Sequence, residues 1–326
     1  MIDVITGAAG FLGYHLSRRL LAEGRKVLGV DNFQTGSLQN ISDLQAEFKN
    51  FTFIEGDILH GPTLARAGEI LPTLGESKLS HIYHLACPAS PPLYQKDELN
   101  TLDICYKGTQ NVLDFADKQQ ARVMLASTSE IYGDPEVHPQ PESYRGNVNT
   151  MGPRSCYDEG KRVLETLGYI YSCRGLEVRT ARIFNTYGPR MSPLDGRVMT
   201  NFIKQALLGE ALTVYGDGSQ TRSLCYCDDL IEGFLLLMSS DLTEPVNLGS
   251  QQEFSVLELA KTVREKINPK LEIVFEELPK DDPKVRRPDT SRALKALGWS
   301  AKVSLSQGID QMIADFRNQL DRPIEK

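Results

Sequence analysis

The chain has 326 residues, of which 40% are hydrophobic and 24% charged, a composition typical of a globular protein large enough for two lobes. Its formal net charge of −7 argues against nonspecific binding to nucleic acid or to an anionic membrane, because the field of the whole molecule repels phosphates. No apolar run approaches the length of a membrane span and no basic leader precedes the first strand, so we expect a cytoplasmic protein.

The first predicted elements are a strand over residues 1–6, a glycine-rich turn, and a helix over residues 14–23. Gly7 permits a tight turn, Gly10 lets the backbone approach a pyrophosphate, and Gly13 lets the helix pack closely on a sheet. An ordinary strand-to-helix loop is the alternative interpretation. The predicted dinucleotide contacts in this turn are Gly7, Gly10, Phe11, Leu12 and Gly13.

A second predicted strand, residues 26–30, ends at Asp31. A carboxylate at this point can accept hydrogen bonds from an adenosine ribose and repel a 2′-phosphate, so it favours NAD over NADP. A third predicted strand, residues 52–55, is followed by further polar residues where an adenine ring can lie. The predicted adenosine end of the site comprises Asp31, Asn32, Asp57 and Ile58.

Strands and helices continue to alternate, with a strand at 81–86, a helix at 97–118 and a strand at 122–127. Such alternation predicts an α/β fold with a Rossmann-type, doubly wound parallel sheet. Ligands of these sheets lie beyond the carboxyl ends of the strands, so the residues that follow each strand are site candidates. Leu85 and Ala86, at the carboxyl end of the strand at 81–86, are predicted to contact the cofactor.

Thr128, Ser129 and Glu130 follow the strand at 122–127 and place two hydroxyls and a carboxylate at the same sheet edge. Thr128 can hydrogen-bond a reacting hydroxyl, and Glu130 can act as an acid or base or can orient water. A capping Ser/Thr cluster with an exposed Glu is the alternative interpretation.

Tyr157 and Lys161 are four residues apart in a predicted helix, so they share one face. The Lys161 ammonium is expected to lower the pKa of the Tyr157 phenol by favouring phenolate. Such a phenol can take a proton from a sugar hydroxyl while hydride leaves the same carbon. The same spacing also occurs on solvated helix faces.

The organisation changes after about residue 180, where polar turns carry several arginines that can bind phosphate or carboxylate. We predict a Rossmann domain over 1–180, rejoined by about 223–250, and a smaller C-terminal substrate-binding lobe from 181–222 and 251–326. Each arginine can also be merely solvated. The arginines of these predicted loops are Arg190, Arg197, Arg222, Arg286 and Arg287.

The six cysteines lack the paired spacing of a zinc site or redox dithiol, and the five histidines are scattered. We therefore expect reduced, mostly buried thiols and no metal site.

Taken together, these motifs resemble the extended short-chain dehydrogenase/reductase family of nucleotide-sugar enzymes, and within it the UDP-glucuronate decarboxylases. The likeness runs over essentially the whole chain. The segments that carry it are 7–13, 84–92, 127–138, 152–163, 181–190 and 218–222.

This resemblance implies a reaction on UDP-glucuronate with catalytic NAD. Oxidation at C4 would give a 4-keto acid that loses CO₂, and the return of hydride would give UDP-xylose. Similar 4,6-dehydratases carry Asp where this chain has Ser129, so dehydration would lack its acid. The implied catalytic residues are Thr128, Ser129, Glu130, Tyr157, Lys161 and Arg222, with Glu130 and Arg222 sharing the substrate carboxylate and C5 protonation.

The resemblance also implies a substrate pocket and a homodimer built on helices 97–118 and 157–173. Two alternatives stay open: a UDP-sugar 4-epimerase, whose product would keep the carboxylate, and a nonenzymatic NAD-sensing protein, which would be expected to lack Tyr157 or Lys161. The implied substrate contacts are Ser90, Tyr94, Asn185, Arg190, Arg197, Tyr215, Arg222 and Arg287.

Overall fold

The computed structural model describes residues 1–75, 79–278 and 285–321. Its strands in chain order are β1 Ile2–Thr6, β2 Lys26–Asp31, β3 Phe51–Glu55, β4 Leu79–His84, β5 Arg122–Thr128, β6 Val178–Ile183, β7 Thr186–Tyr187, β8 Leu212–Tyr215, β9 Thr221–Ser223, β10 Cys225–Tyr226, β11 Val246–Leu248, β12 Glu253–Ser255 and β13 Ile273–Glu276.

The helices are α1 Phe11–Ala22, α2 Leu38–Glu47, α3 Gly61–Ile70, α4 Pro91–Tyr94, α5 Glu98–Asp103, α6 Thr109–Gln119, α7 Ser155–Cys173, α8 Val198–Leu208, α9 Cys227–Ser239, α10 Val256–Ile267, α11 Ser291–Leu297 and α12 Leu305–Leu320. None of the helices within the described ranges is long and apolar enough to cross a membrane.

Seven strands form one parallel sheet in the order β11-β6-β5-β4-β1-β2-β3. All five residues of β1 are buried, as expected for a central strand covered by helices on both faces. One apolar core lies on each face of the sheet. The predicted doubly wound Rossmann-type sheet is confirmed.

The C-terminal part has its own small sheets and its own core. β13 pairs in parallel with β8, and β12 pairs antiparallel with β9. Phe202 of α8, Leu259 of α10 and Met312 of α12 meet in this third core. The segment between β10 and β12 returns to the large sheet, because β11 pairs with β6 and α9 packs against α1.

The helix predicted over 97–118 is interrupted. Between α5 and α6 the segment Ile104–Gly108 forms a π-helical turn. A Cβ atom at Gly108 would lie 2.8 Å from Ile58 Cδ1, so the wider turn brings this backbone close to the core. The hydrophobic periodicity of the sequence does not reveal this break, because a π-helical turn shifts the α-helical register by only one residue.

Candidate active site

Tyr157 and Lys161 lie on the buried face of α7, where they meet the end of β5. The two side chains are 5% and 4% exposed, which rules out a solvated helix face. Lys161 Nζ donates a hydrogen bond of 2.8 Å to the Ala126 carbonyl and lies 5.7 Å from the centroid of the Tyr157 ring. Tyr94 stacks on the Tyr157 ring with centroids 4.8 Å apart. The phenol is therefore held in one orientation.

The expected lowering of the Tyr157 pKa is not found in this structure. Burial raises the pKa of the Tyr157 phenol well above its usual value, and the negative charge of Cys87 adds to the rise, whereas the hydrogen bond with the Thr128 side chain lowers it. The ammonium of Lys161 is directed at a backbone carbonyl rather than at the phenol oxygen.

Thr128 begins a short 3₁₀ turn, Ser129–Tyr132, at the carboxyl end of β5. Its hydroxyl oxygen accepts a hydrogen bond of 3.2 Å from the Glu130 N–H, so it caps this turn while its side chain interacts with Tyr157. Thr128 therefore caps this turn and lies beside Tyr157, and its role in the reaction stays a prediction.

Glu130 is the centre of a cationic cluster. Its carboxylate accepts hydrogen bonds from Arg154 and, at 3.1 Å, from Arg286 Nη2. Arg286 also donates to the Ser129 carbonyl. Burial alone would raise the pKa of Glu130, but the charges of Arg286, Arg154 and Arg222 lower it to about 2. Glu130 is consequently an anion at neutral pH and a poor proton donor.

Two residues of this cluster were not predicted to take part in catalysis. Arg154, the N-cap of α7 and three residues before Tyr157, is not among the predicted site residues. Arg286 was included only among the loop arginines, yet it is 1% exposed. No local signal marks these contacts, because Glu130 is 24 residues from Arg154 and 156 residues from Arg286.

A second carboxyl group completes the cluster. Asp158 is 6% exposed, and its Oδ1 has no hydrogen-bond partner among the described residues. Burial, together with the charge of Glu130, raises the pKa of Asp158 to about 7. The cluster therefore holds more positive than negative charge.

The glycine turn forms a close cradle at the opposite end of the site. Gly7 has a φ of +78°, and a Cβ there would lie 2.8 Å from the Ala86 nitrogen. A Cβ at Gly13 would overlap the Gly7 carbonyl oxygen. Gly10 is the N-cap of α1. Because glycine has no side chain to cap the helix, the first N–H groups of α1 are available to an anion.

Both ends open into one cavity of about 1840 Å³. It extends from the glycine turn to Tyr157 and on to the C-terminal part. The predicted residues that line it are Gly7, Gly10, Phe11, Leu12, Gly13, Leu85, Ser90, Tyr94, Thr128, Ser129, Glu130, Tyr157, Lys161, Asn185, Arg190, Arg197, Tyr215 and Arg222.

Five predicted cofactor contacts are not among the described residues that line this cavity. Asp31 Oδ2 accepts a hydrogen bond from the Ala9 N–H at 3.0 Å, and Asp31 Oδ1 accepts one from the Phe33 N–H at 2.8 Å. The side chain of Ile58 packs into the apolar core, so only its backbone can face a ligand. The predicted contacts absent from the described lining are Asp31, Asn32, Asp57, Ile58 and Ala86.

Asn32 and Asp57 are joined beyond the ends of β2 and β3. Asn32 Nδ2 donates a hydrogen bond of 2.9 Å to Asp57 Oδ2. The two polar side chains therefore meet where the sequence predicted the adenosine end.

The predicted substrate arginines are dispersed. Arg222 lies in β9 rather than in the expected loop and contributes to the cluster around Glu130. Arg190 instead forms an ion pair of 2.6 Å with Asp43 of α2, on the glycine-turn side of the cavity. Arg197 pairs with Asp195 at 2.6 Å.

Arg287 does not line the cavity formed by the described residues. Its Nη1 lies 3.9 Å from Glu253 Oε2. Its neighbour Arg286 has the buried position, because successive residues of an extended segment point in opposite directions.

One group of side chains outside the cluster around Glu130 is of the types that bind metal ions. His15, Cys227 and Asp228 offer ligand atoms within 4.8 Å of one another. His15 Nε2 donates to the Pro189 carbonyl at 2.9 Å, and burial raises the pKa of the Cys227 thiol. At neutral pH this group therefore offers a thiol rather than a thiolate.

A family model described as GDP-mannose 4,6 dehydratase matches residues 4–312. UDP-glucuronic acid decarboxylase 3 of Arabidopsis thaliana is 49% identical over 322 residues, covering 98% of this chain and 90% of that protein. UDP-glucuronic acid decarboxylase 1 of Xenopus tropicalis is 47% identical, covering 98% of this chain and 72% of that protein.

Among solved structures, UDP-glucuronic acid 4-epimerase from Bacillus cereus, in complex with UDP-glucuronic acid and NAD, superimposes with a TM-score of 0.85. It is 27% identical, and the match covers 98% of this chain and 100% of that one.

Proposed function

The chain belongs to the GDP-mannose 4,6-dehydratase family, and we propose that within this family it decarboxylates UDP-glucuronate to UDP-xylose with catalytic NAD. Relatives nearly half identical over almost the full length are UDP-glucuronic acid decarboxylases. The proposed reaction oxidises C4, releases CO₂ and reduces C4 again, so NAD is regenerated in each cycle.

The observation that carries this proposal is the cationic cluster at the Tyr157 end of the cavity. Three guanidinium groups, those of Arg286, Arg154 and Arg222, act on the single ionised carboxylate of Glu130. Asp158, with a pKa of about 7, neutralises them only in part. The excess positive charge favours a sugar that carries a carboxylate over one with a neutral hydroxymethyl group.

The residues of the glycine turn fit NAD. The uncapped N-terminus of α1 would hold the pyrophosphate, and Asp31 would accept hydrogen bonds from the adenosine ribose. Bound NAD would supply the hydride acceptor for the first step and the hydride donor for the last. Leu85, which follows β4 and lines the cavity, would form part of the wall of this site, and the Ala86 backbone beside Gly7 would support it.

Tyr157 would transfer the proton of the C4 hydroxyl. Tyr157 is a neutral phenol in this structure because burial raises its pKa. The positive charge of bound NAD⁺ would favour the phenolate that accepts the proton during oxidation, and the phenol would return it when C4 is reduced. Lys161 would hold the local backbone and add positive charge near the ring, while Thr128 would hydrogen-bond the C4 oxygen.

Loss of CO₂ needs no acid, because the C4 ketone accepts the electron pair of the breaking bond as an enolate. Thr128 and Tyr157 would stabilise the enolate oxygen. Arg222 would orient the substrate carboxylate before it leaves. Since Glu130 is ionised, we assign it the orientation of Arg154, Arg286 and a water molecule that protonates C5, rather than direct proton donation.

The UDP group would extend from this cluster into the C-terminal part. Arg197 would contact the diphosphate, and Asn185 and Tyr215 would contact the nucleoside. Arg190 faces α2, which favours a contact on the cofactor side. A contact of Arg287 with UDP would require its side chain to turn away from Glu253. In this division, residues 181–222 and 251–326 form the substrate lobe.

We also propose that the protein is a homodimer in the cytoplasm. Large apolar side chains remain exposed on α5, α7 and the π-helical turn, which pack against one another. The six cysteines are all free, which suits a reducing compartment. The exposed side chains are Leu99, Leu102, Tyr106, Tyr169 and Ile170.

The decisive experiment is incubation of the purified protein with UDP-glucuronate and NAD, followed by mass spectrometry of the nucleotide sugar. We expect UDP-xylose, one CO₂ per product and no net NADH. A product with the same mass as UDP-glucuronate would indicate 4-epimerisation instead of decarboxylation. Absence of any turnover at saturating substrate would refute both enzymatic interpretations.

A further inference from the structure

Two cysteine sulfurs meet beside the Tyr157–Lys161 pair. Cys87 follows β4, and Cys105 lies in the π-helical turn; their Sγ atoms are 3.4 Å apart. Gly160 of α7 allows the close approach, since a Cβ there would lie 2.9 Å from Cys105 Cβ. Three separate elements thus converge on a pair of free thiols.

The two thiols differ in access and in acidity. Cys87 lines the cavity and is partly exposed, whereas Cys105 is only 1% exposed. The hydrogen bond with Cys105 and the charge of Lys161 lower the pKa of Cys87 to about 7, while the same hydrogen bond and burial raise the pKa of Cys105. Cys87 is therefore the accessible nucleophile, and Cys105 is a resolving thiol held next to it.

We propose that hydrogen peroxide converts Cys87 and Cys105 into a reversible disulfide, and that this bond slows the chemistry at Tyr157. The Cys87 thiolate attacks one peroxide oxygen, the O–O bond breaks, and water and a sulfenic acid form after proton transfer. The Cys105 sulfur then attacks the Cys87 sulfur and displaces the hydroxyl as a second water. Two thiols are oxidised, and one peroxide is reduced to two waters.

The bond would act on the site through the chain around Cys87. The sulfurs must close from 3.4 Å to the disulfide length of about 2.05 Å. Cys87 directly follows Ala86, whose backbone is in close contact with the Gly7 turn. A displacement of this size at a reacting centre can reduce turnover by about tenfold or more. The disulfide also removes the Cys87 thiol, which otherwise interacts with Lys161.

The test exposes the purified protein with bound NAD to graded hydrogen peroxide. Tryptic peptides are analysed without reduction, and UDP-xylose formation is measured in parallel. We expect a peptide linking Cys87 to Cys105 to increase in step with the loss of turnover. Dithiothreitol should remove the link and restore activity. The peptide readout does not depend on the proposed reaction.

Cys105→Ser removes the resolving thiol, whereas Cys173→Ser changes an exposed cysteine of α7 and is the matched control. Both variants should have basal turnover within about twofold of wild type. In Cys105→Ser the linked peptide should vanish and dimedone should label Cys87, because the sulfenic acid persists. Cys173→Ser should behave like wild type.

Three results would overturn the proposal. In the first, oxidised wild type loses turnover but yields no Cys87–Cys105 peptide. In the second, protein with the Cys87–Cys105 link keeps full turnover, and in the third, oxidation joins Cys87 to Cys156 instead. Missing dimedone labelling of Cys87 in Cys105→Ser would refute the order of attack.

Discussion

Tyr157 is the residue on which the proposed hydride chemistry most directly depends. Its ring is fixed between Tyr94 and the end of β5, so removal of the hydroxyl should leave the packing intact. Tyr157→Phe should therefore reduce turnover by about 10²-fold or more with little change in NAD affinity. Rate measurements with UDP-glucuronate and NAD titrations check this, and a variant with near-normal turnover would exclude Tyr157 as the proton carrier.

Asp158 makes the stability of the protein depend on pH. Its folded pKa of about 7 lies above the ordinary 3.8, so the folded state binds a proton that the unfolded chain releases between these values. This contribution is complete below about pH 3.8 and is lost as the pH rises through 7. Between pH 5 and 8 we expect wild type to lose about 2–3 kcal/mol more unfolding free energy than Asp158→Asn.

Urea denaturation of both proteins at the two pH values measures this difference. Asp241→Asn is the control, because Asp241 is fully exposed and should follow wild type. Parallel pH dependence of wild type and Asp158→Asn would contradict the raised pKa.

At the level of single residues, the sequence predicted the groups with intrinsic chemistry and missed the residues that tune them. Tyr157 and Lys161 share a helix face, so their proximity follows from spacing alone. The cluster of Glu130, Arg154 and Arg286 depends on contacts made only after folding. The raised pKa of Tyr157 has the same origin, since burial is a property of the folded state.

Among the elements, the turn from β1 into α1 is the most constrained by close backbone contact. A Cβ at position 13 would lie 2.8 Å from the Ala8 Cα and overlap the Gly7 carbonyl. Gly13→Ala should therefore displace α1 from the turn and weaken NAD binding by about tenfold or more. Calorimetric titration with NAD measures this effect.

Gly61→Ala is the matched control for that substitution. Gly61 begins α3, and a Cβ there would have open space around it. We expect its NAD affinity to equal that of wild type. Equal affinity for Gly13→Ala would show that the turn tolerates a side chain and would remove the steric basis of the cofactor cradle.

The elements of the sheet were largely predictable because buried parallel strands are short apolar runs followed by polar residues. β1, β2, β3 and β5 lie within a residue or two of the predicted ranges. The π-helical turn was not predictable, since it results from packing between distant segments. The position of Arg222 in β9 was not predictable either, because β9 forms only by pairing with the distant strand β12.

For the whole molecule, the exposed apolar side chains of α5 and α7 predict self-association. Leu99 is 79% exposed, and Leu294 of α11, on another surface, is 56% exposed. Leu99→Asp should shift the protein from dimer to monomer, because a buried unpaired carboxylate destabilises an interface by several kcal/mol. Leu294→Asp should remain dimeric.

Light scattering during size-exclusion chromatography distinguishes these states. A wild-type protein that is monomeric at micromolar concentration would refute the dimer. Dissociation by Leu294→Asp, with no effect of Leu99→Asp, would move the interface to the other surface. The division into two lobes stays a prediction at this scale.

The position of β11 beside β6 has a consequence for synthesis on the ribosome. Residues 184–222 must leave the exit tunnel before α9 and β11, yet α9 covers α1 and β11 completes the sheet edge. Until residue 248 emerges, the nascent chain carries an open strand edge and an uncovered apolar helix face. We therefore expect a chain truncated after residue 183 to expose apolar surface and to bind chaperones rather than NAD.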